Sequence, residues 1–397
     1  MHVIGLKEQD NPPLKELRSN MNETPIFIAA GVGEGSRTVD GKHKPFLKIG
    51  NESNIQIVLN EVVKTKNTRP IYIWGSKEEL HKELDSIIKR ERDKREIHII
   101  QQRGNIAENA IFAYFAHLRK KDRDFHELYS HVKDWRGLVR EWRNLRAYYE
   151  EKNLLSDQAD ILLSDLPLVT SEEIDFLLKN KIPEVDLYSG WSLKEPFDEV
   201  MSQIDPHIDY SRIKMNFFPL VKKHNRRRKV FYCRFSGFFC AKYLNISSSV
   251  INVIPNLYKR RNLIEGKKSN FKRVGQIIRE FISDLDRENL DSKVNKMQFM
   301  CHLSSLGTSG LISHFLHFNR WNRWLAHILS PFLEINKIQN NIKRLSGNDI
   351  RFLVSNTIGL LFDTDGDAYY FVKENYKKLR NSIYEYYSKK GMKLIHN

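Results

Sequence analysis

Cysteine is scarce in this chain. Three occur in 397 residues, Cys233, Cys240 and Cys301, and none belongs to a C-x-x-C pair. That pattern excludes a secreted disulfide framework and a structural zinc ribbon. Long apolar runs are missing too. No uncharged stretch reaches the roughly 18–20 residues that span a bilayer. The nearest candidate, Cys301 to Leu333, is broken by His314, His317, Arg320 and Arg323. The opening residues, MHVIGLKEQDNPPLKEL, lack the apolar centre of a signal peptide. A cytoplasmic protein is expected, with peripheral membrane contact left open. Acidic charge is in deficit: 65 Lys+Arg face 49 Asp+Glu, a formal charge of +16. Such an excess calls for an acidic partner, and nucleotide phosphates, nucleic acid and an anionic membrane all qualify. At 41% hydrophobic residues the composition is that of a globular chain, so wholesale disorder is excluded.

What is present is an alternation. Pro25 to Ala30 (PIFIAA) is a short apolar run that stops at glycines, as a buried strand does. Ile55 to Lys66 has helical spacing, and Pro70 to Trp74 (PIYIW) reads as a second strand. A charged amphipathic helix follows from Lys77 to about Arg92. Glu96 to Ile100 is a third strand, Ala107 to Arg119 a third helix, and Ala159 to Ser164 (ADILLS) a fourth strand. Strand and helix thus alternate over residues 25–180, the pattern of a mostly parallel sheet with helices on both faces. A charged, Trp- and Arg-rich stretch at 120–157 interrupts it as one long helix or a helical pair. Beyond about residue 205 the alternation fades into basic clusters, Lys222 to Lys229 and Lys259 to Arg273, and then helical patterns up to about 345. The expected division is a lead-in at 1–24, an α/β core at 25–245, a mainly helical insertion at 246–345, and a return to the core at 346–397.

Two motifs fall at strand carboxyl ends, where open α/β sheets bind ligands. The first is Gly31-Val32-Gly33-Glu34-Gly35-Ser36-Arg37 with Lys44-Pro45 beyond it. Glycines let the backbone approach phosphates, and an Arg and a Lys add fixed positive charge. The GK[ST] ending of a P-loop is missing, and no helix follows directly as the dinucleotide fingerprint requires. A flexible turn would also account for the glycines alone. The second motif is Ser164-Asp165-Leu166-Pro167, followed by Thr170-Ser171-Glu172-Glu173. A carboxylate facing a triphosphate suits Mg²⁺, which takes one or two carboxylates and completes its shell with phosphate oxygens and water. Thr170 to Glu173 is a helix-start signal.

A later apolar run, Ile358 to Phe362, leads into Asp363, Asp365 and Asp367. It reads as a strand ending in carboxylates, with a helix from Tyr369 to Tyr387 after it. A calcium loop is a poor fit, since no closing Glu follows. Gln102, Gly104 and Asn109, after the third strand, could read a base or simply close a loop. Phe235 to Phe239 is an apolar stretch around Gly237.

Together these motifs resemble the Gly-x-Gly-x-Arg then Lys-Pro signature, and the strand-Asp-x-Pro segment, of sugar-nucleotide pyrophosphorylases and the molybdenum-cofactor guanylyltransferase (MobA-like) group. The resemblance covers residues 25–75 and 96–180 and reaches 230–375 in scattered segments. It implies the nucleotide-diphospho-sugar transferase fold. It also implies an enzyme that moves a nucleoside monophosphate from an NTP to a phosphorylated sugar or cofactor precursor, releasing pyrophosphate with Mg²⁺ or Mn²⁺. Carried over, Gly33, Gly35, Arg37 and Lys44 hold the triphosphate, Ala30, Gly31 and Ser36 are nucleotide-binding candidates beside them, and Gln102, Gly104 and Asn109 lie near the base. Arg37, Lys44 and Asp165 serve the chemistry, and Asp165, Asp363 and Asp365 supply metal ligands. The sequence departs from the family in three places: Ala29-Ala30-Gly31 stands two residues early, Ser164 stands where Gly is commoner, and no Pro-Glu follows the Asp-x-Asp segment. No specific nucleic acid is expected as partner. Two other functions fit parts of the pattern: a glycosyltransferase using a nucleotide sugar, and a basic nucleic-acid- or membrane-surface-binding protein.

Overall fold

The computed structural model describes residues 25–31, 38–66, 69–104, 106–121, 131–132, 135–151, 158–182, 184–204, 217–224, 227–246, 331, 333–364 and 366–396. The lead-in, the basic cluster at 259–273 and the stretch around His314 and His317 lie outside them.

β1 (Ile26–Ala30) alternates its side chains across the sheet. Ile26, Ile28 and Ala30 point to one face, where α1 (Asn54–Lys64) and α2 (Lys77–Glu91) bring Ile55, Val58, Leu59, Leu80 and Leu84. Phe27 points to the other, against Tyr72 and Trp74 of β6 (Ile71–Gly75). There α3 (Ile106–Lys121) contributes Ala113 and α4 (Trp135–Glu151) contributes Trp142. A period of two in β1 and helical spacing in its neighbours therefore make the two-sided core. Each such side chain, fully buried, contributes about 1.5–3 kcal/mol. Between β1 and α1 lie two small hairpins, β2 (Thr38–Val39) with β3 (Lys42–His43), and β4 (Lys48–Ile49) with β5 (Glu52–Ser53).

Further along come β7 (Ile97–Gln101), β8 (Ala159–Leu163), α5 (Ser171–Lys179), β9 (Leu187–Leu193) and α6 (Lys194–Ile204). After them stand β10 (Phe218–His224), β11 (Arg227–Ala241), α7 (Ile335–Ser346), β12 (Ile350–Ser355), α8 (Asp367–Lys390) and β13 (Leu394–His396). The main sheet runs β13-β12-β9-β11-β8-β1-β6-β7, with β10 paired to β11 alone. β7, β6, β1 and β8 are mutually parallel, and β12 is parallel to β9. β11 is antiparallel to both β8 and β9. This is a mostly parallel α/β sheet covered by helices on both faces. Among the described residues no helix is long and apolar enough to cross a membrane.

The structure bears on two of these readings. Where the alternation fades into the basic cluster Lys222 to Lys229, two strands pair, with Lys222 opposite Lys229 and Lys223 opposite Arg228 in β10 and β11. The Lys222 ammonium donates to the Ile395 carbonyl, and Arg228 pairs with Glu334 at 2.9 Å. Charges on both faces hide the strand period there. Second, Ile358 to Phe362 is not a strand. Residues Gly359–Leu361 form a 3-10 turn, and the strand lies earlier, at Ile350–Ser355. The reason is a competing acceptor: the Ile358 and Gly359 amides donate to Glu173 Oε1 at 2.7 and 2.8 Å, so neither is free to pair in a sheet. The helix after it is longer than the expected Tyr369 to Tyr387, running Asp367–Lys390.

Candidate functional site

β1 and β8 are adjacent and parallel, with Ala29 opposite Leu163, so the residues after each emerge side by side at the carboxyl edge of the sheet. Ser164 fixes that exit. Its backbone N–H and its hydroxyl both donate to the Ala29 carbonyl, at 3.2 and 2.7 Å. Asp165 follows at once.

Lys44 reaches Asp165 from the segment after β3. Pro45 opens a 3-10 turn, Lys44–Phe46, and the Lys44 ammonium lies 3.5 Å from Asp165 Oδ2. Both side chains are largely shielded, at 19% and 18% exposure. Burial pushes the Asp165 carboxyl up, Lys44 pulls it down, and the charge of Asp363 adds to the rise, leaving it above the ordinary aspartate value. The charge of Asp363 is thus felt at Asp165, as one carboxylate opposes the ionisation of another nearby.

Asp363 arrives from far along the chain, beyond the 3-10 turn. The turn is positioned by Glu173, which α5 presents from its first turn inside a capping box with Thr170. Besides the two turn amides, Glu173 accepts from the Tyr387 hydroxyl and the Thr170 amide. Gly359 has no room for a side chain: a Cβ would stand 2.2 Å from the Leu168 carbonyl oxygen. Past the turn, the guanidinium of Arg234 donates to Asp363 Oδ2 at 2.6 Å. Arg234 stands on β11 just before a bulge between Phe235 and Phe239, where Gly237 takes φ +69°. Bulges re-aim neighbouring side chains next to functional sites.

One buried side chain ties the two flanks. The Asn54 amide donates to the Lys44 carbonyl at 2.7 Å and to the Thr364 hydroxyl at 2.8 Å. It thereby connects the residue that carries the lysine to the neighbour of Asp363.

A second cluster lies at the ends of β1, β6 and β7. Ala30 is buried, and Gly31 stands beside Gln102 and Asn109: a Cβ on it would lie 3.5 Å from Gln102 Oε1 and 3.7 Å from Asn109 Nδ2. The Gln102 amide donates to the Gly75 carbonyl, and Asn109 Oδ1 accepts from the Arg103 amide. The Arg103 guanidinium lies 3.7 Å from the centre of the Phe112 ring. Gly104 sits against Glu108, whose Oε2 is 3.0 Å from where a Cβ would stand.

Of the residues singled out in the sequence, Lys44, Asp165 and Asp363 therefore meet in one place. Ala30, Gly31, Gln102, Gly104 and Asn109 stand along the neighbouring strand ends. Gly33, Gly35, Ser36, Arg37 and Asp365 lie outside the described residues. Arg234 and Asn54 were missed. A lone arginine inside the apolar run FYCRFSGFFC was the available signal for the first. An asparagine at a helix start reads as a cap, so nothing signalled the second.

The fold and site define an α/β protein with paired carboxylates and basic partners at the carboxyl edge of its sheet. No family model matches the chain, and no curated protein matches it in sequence. Among solved structures it is similar to a hypothetical transferase from Thermus thermophilus, with 13% identity, a TM-score of 0.42, and 87% of this chain and 98% of that chain covered. It is also similar to 4-diphosphocytidyl-2C-methyl-D-erythritol synthase from Anaerococcus prevotii, at 12% identity and TM-score 0.29 over 66% of this chain and 85% of that one. A third is a putative glucose-1-phosphate thymidylyltransferase from Bacillus anthracis, at 11% identity and TM-score 0.29 over 65% and 83%.

Proposed function

We propose that the protein is a divalent-metal-dependent nucleotidyltransferase that transfers a nucleoside monophosphate from an NTP to a phosphorylated sugar or cofactor precursor. The observation that supports this most is the ion pair of Lys44 with Asp165 at 3.5 Å, with Asp363 near enough for its charge to raise the Asp165 carboxyl. Two oxygen-bearing carboxylates at a shielded edge repel one another, and a divalent cation relieves that repulsion. The donor set fits Mg²⁺, which needs no more than one or two protein carboxylates beside a nucleotide. Phosphate oxygens and water would complete the shell. A bound Mg²⁺ supplies charge neutralisation on the phosphate oxygens and the departing pyrophosphate.

In this reading Asp165 and Asp363 hold the cation. Lys44, on the segment that follows the glycine loop, lies against the triphosphate. Gln102 and Asn109, beside Gly31, face the nucleoside. An acceptor phosphate oxygen attacks the α-phosphorus, the α–β P–O bond breaks, and the electron pair leaves with pyrophosphate. No protein nucleophile is required: positioning and fixed charge carry the rate.

The test is pyrophosphate release, with the four NTPs screened against phosphorylated sugars and cofactor precursors. Asp165→Asn should lower the rate by at least about 100-fold, the scale of a lost electrostatic contact to the transition state, with the circular dichroism spectrum unchanged. A folded variant releasing pyrophosphate at the parental rate would remove the assignment. Thermal protection by nucleotide sugars but by no NTP would point to glycosyl transfer instead.

A further inference from the structure

Four charges share the site, and they come in two pairs of opposite origin. Lys44, from the amino-terminal half of the sheet, holds Asp165. Arg234, from β11 on the other side of β8, holds Asp363 with one guanidinium nitrogen and is 21% exposed. The two carboxylates and two cations sum to zero formal charge, and each cation is held by a carboxylate. A divalent cation disturbs this. It carries twice the charge of a guanidinium and approaches a carboxylate oxygen to about 2.0–2.1 Å, closer than the 2.6 Å donor distance of Arg234. Coulomb attraction grows with charge and falls with distance, so a cation bound at Asp363 would compete with the arginine for that carboxylate.

We propose that Arg234 is the residue that binds the acceptor's phosphate, and that it is released for this role when a divalent cation takes Asp363. The proposal rests on the nucleotidyltransferase reading and adds to it an order of binding and a residue for the second substrate. The two monovalent cations then serve different anions. Lys44 follows the glycine loop and faces the triphosphate, whereas Arg234 approaches from the opposite flank, across β8. A guanidinium suits this task because its planar fork matches a phosphate with two parallel donors, which an ammonium cannot do. The bulge at Gly237 sets the direction in which β11 delivers it. In the metal-free protein the same side chain is occupied by Asp363, so an acceptor arriving first finds its anion site closed. Metal–nucleotide binding would open it.

The full-length protein is titrated calorimetrically with inorganic phosphate, with and without Mg²⁺ and the α,β-methylene analogue of the NTP that best protects it against heat. Phosphate should bind at least tenfold more tightly to the loaded protein, and Arg234→Gln should abolish that gain. Arg234→Lys, which keeps the charge without the fork, should retain part of it. Asp363→Asn should free Arg234 without metal, so phosphate should bind this variant in Mg²⁺-free buffer where the parent does not. Unchanged phosphate affinity in loaded Arg234→Gln, or no gain in metal-free Asp363→Asn, would overturn the proposal. Failure of every analogue to bind the parent would count against the nucleotidyltransferase reading instead, and the metal-free Asp363→Asn titration would still decide the role of Arg234. If Arg234→Gln does not fold, the Arg234→Lys and Asp363→Asn titrations decide it.

Discussion

Asn54 shows how much of the site is held by a residue with no reactive group. Its amide nitrogen must point as it does, because the Lys44 carbonyl can only accept. Its own Oδ1 is buried with no hydrogen-bond partner, a cost of about 1–3 kcal/mol. The fold carries that cost to keep both donors on Lys44 and Thr364. Asn54→Leu, close in size, should therefore lower stability in urea unfolding by only about 1–3 kcal/mol. Mn²⁺–nucleotide binding should weaken disproportionately, by about tenfold, because Lys44 and Asp363 lose their common reference point. Equal, small effects on both measurements would show that Asn54 does no more than pack. At this scale the sequence was readable where a residue closes a strand. Lys44 and Asp165 were identifiable because glycines, a Lys-Pro pair and an Asp-x-Pro punctuate the chain at those points. Arg234 and Asn54 were not, because their meaning lies in partners 129 and 310 positions away.

Among the elements, α8 and α5 decide whether the carboxylate loop stands still. Glu61 on α1 accepts from the Ser171 amide at the start of α5, at 3.0 Å, and from Arg380 of α8, at 2.8 Å. Burial alone would push this carboxyl up. The hydrogen bonds from Lys64 and Arg380 outweigh it, and its pKa lies below the usual glutamate value. The unfolded chain then binds the proton more readily than the folded one. The contribution of Glu61 to stability is complete above about pH 4.3, the ordinary glutamate value, and is lost as pH falls through the lower folded value. Glu61→Gln should be destabilised at pH 7 near the lower end of the roughly 3–5 kcal/mol for breaking a buried pair, since Arg380 keeps some solvent. The gap between parent and variant should narrow steadily below pH 4.3 in urea titrations. A gap independent of pH would remove the ionic account. Elements were legible where their period was clean: the first three helices and four strands emerged from apolar spacing. β10 and the start of β11 did not, because lysines and arginines occupy both faces of that hairpin. The segment Ile358 to Phe362 misled because it is apolar for a different reason. Leu360, Leu361 and Phe362 are buried while the preceding amides answer to Glu173.

For the molecule as a whole, the sheet closes only with the end of the chain. β12 lies parallel to β9, with Leu353 opposite Gly190, and β13 covers its outer edge. The α/β pattern of residues 25–180 could not announce this, since the parallel partner of β9, β12 at Ile350–Ser355, comes far along the chain. Asp363 reaches Asp165 by the same route. A chain ending at Ser346 should therefore lose its fold, not merely its activity. Leu353, Val354, Phe362, Val372, Leu379 and Ile383 are all completely buried. At about 1.5–3 kcal/mol each, their removal is comparable with the stability of roughly 5–15 kcal/mol that a native protein has to lose. β9 would also be left as a bare edge, open to pairing with other chains. The expected result is a truncated protein that aggregates or melts without a cooperative transition in circular dichroism. A sharp thermal transition in the truncated chain would show that residues 347–397 are an addition to a self-sufficient core. The paired carboxylates would then be a feature added to that core, and not one on which its folding depends.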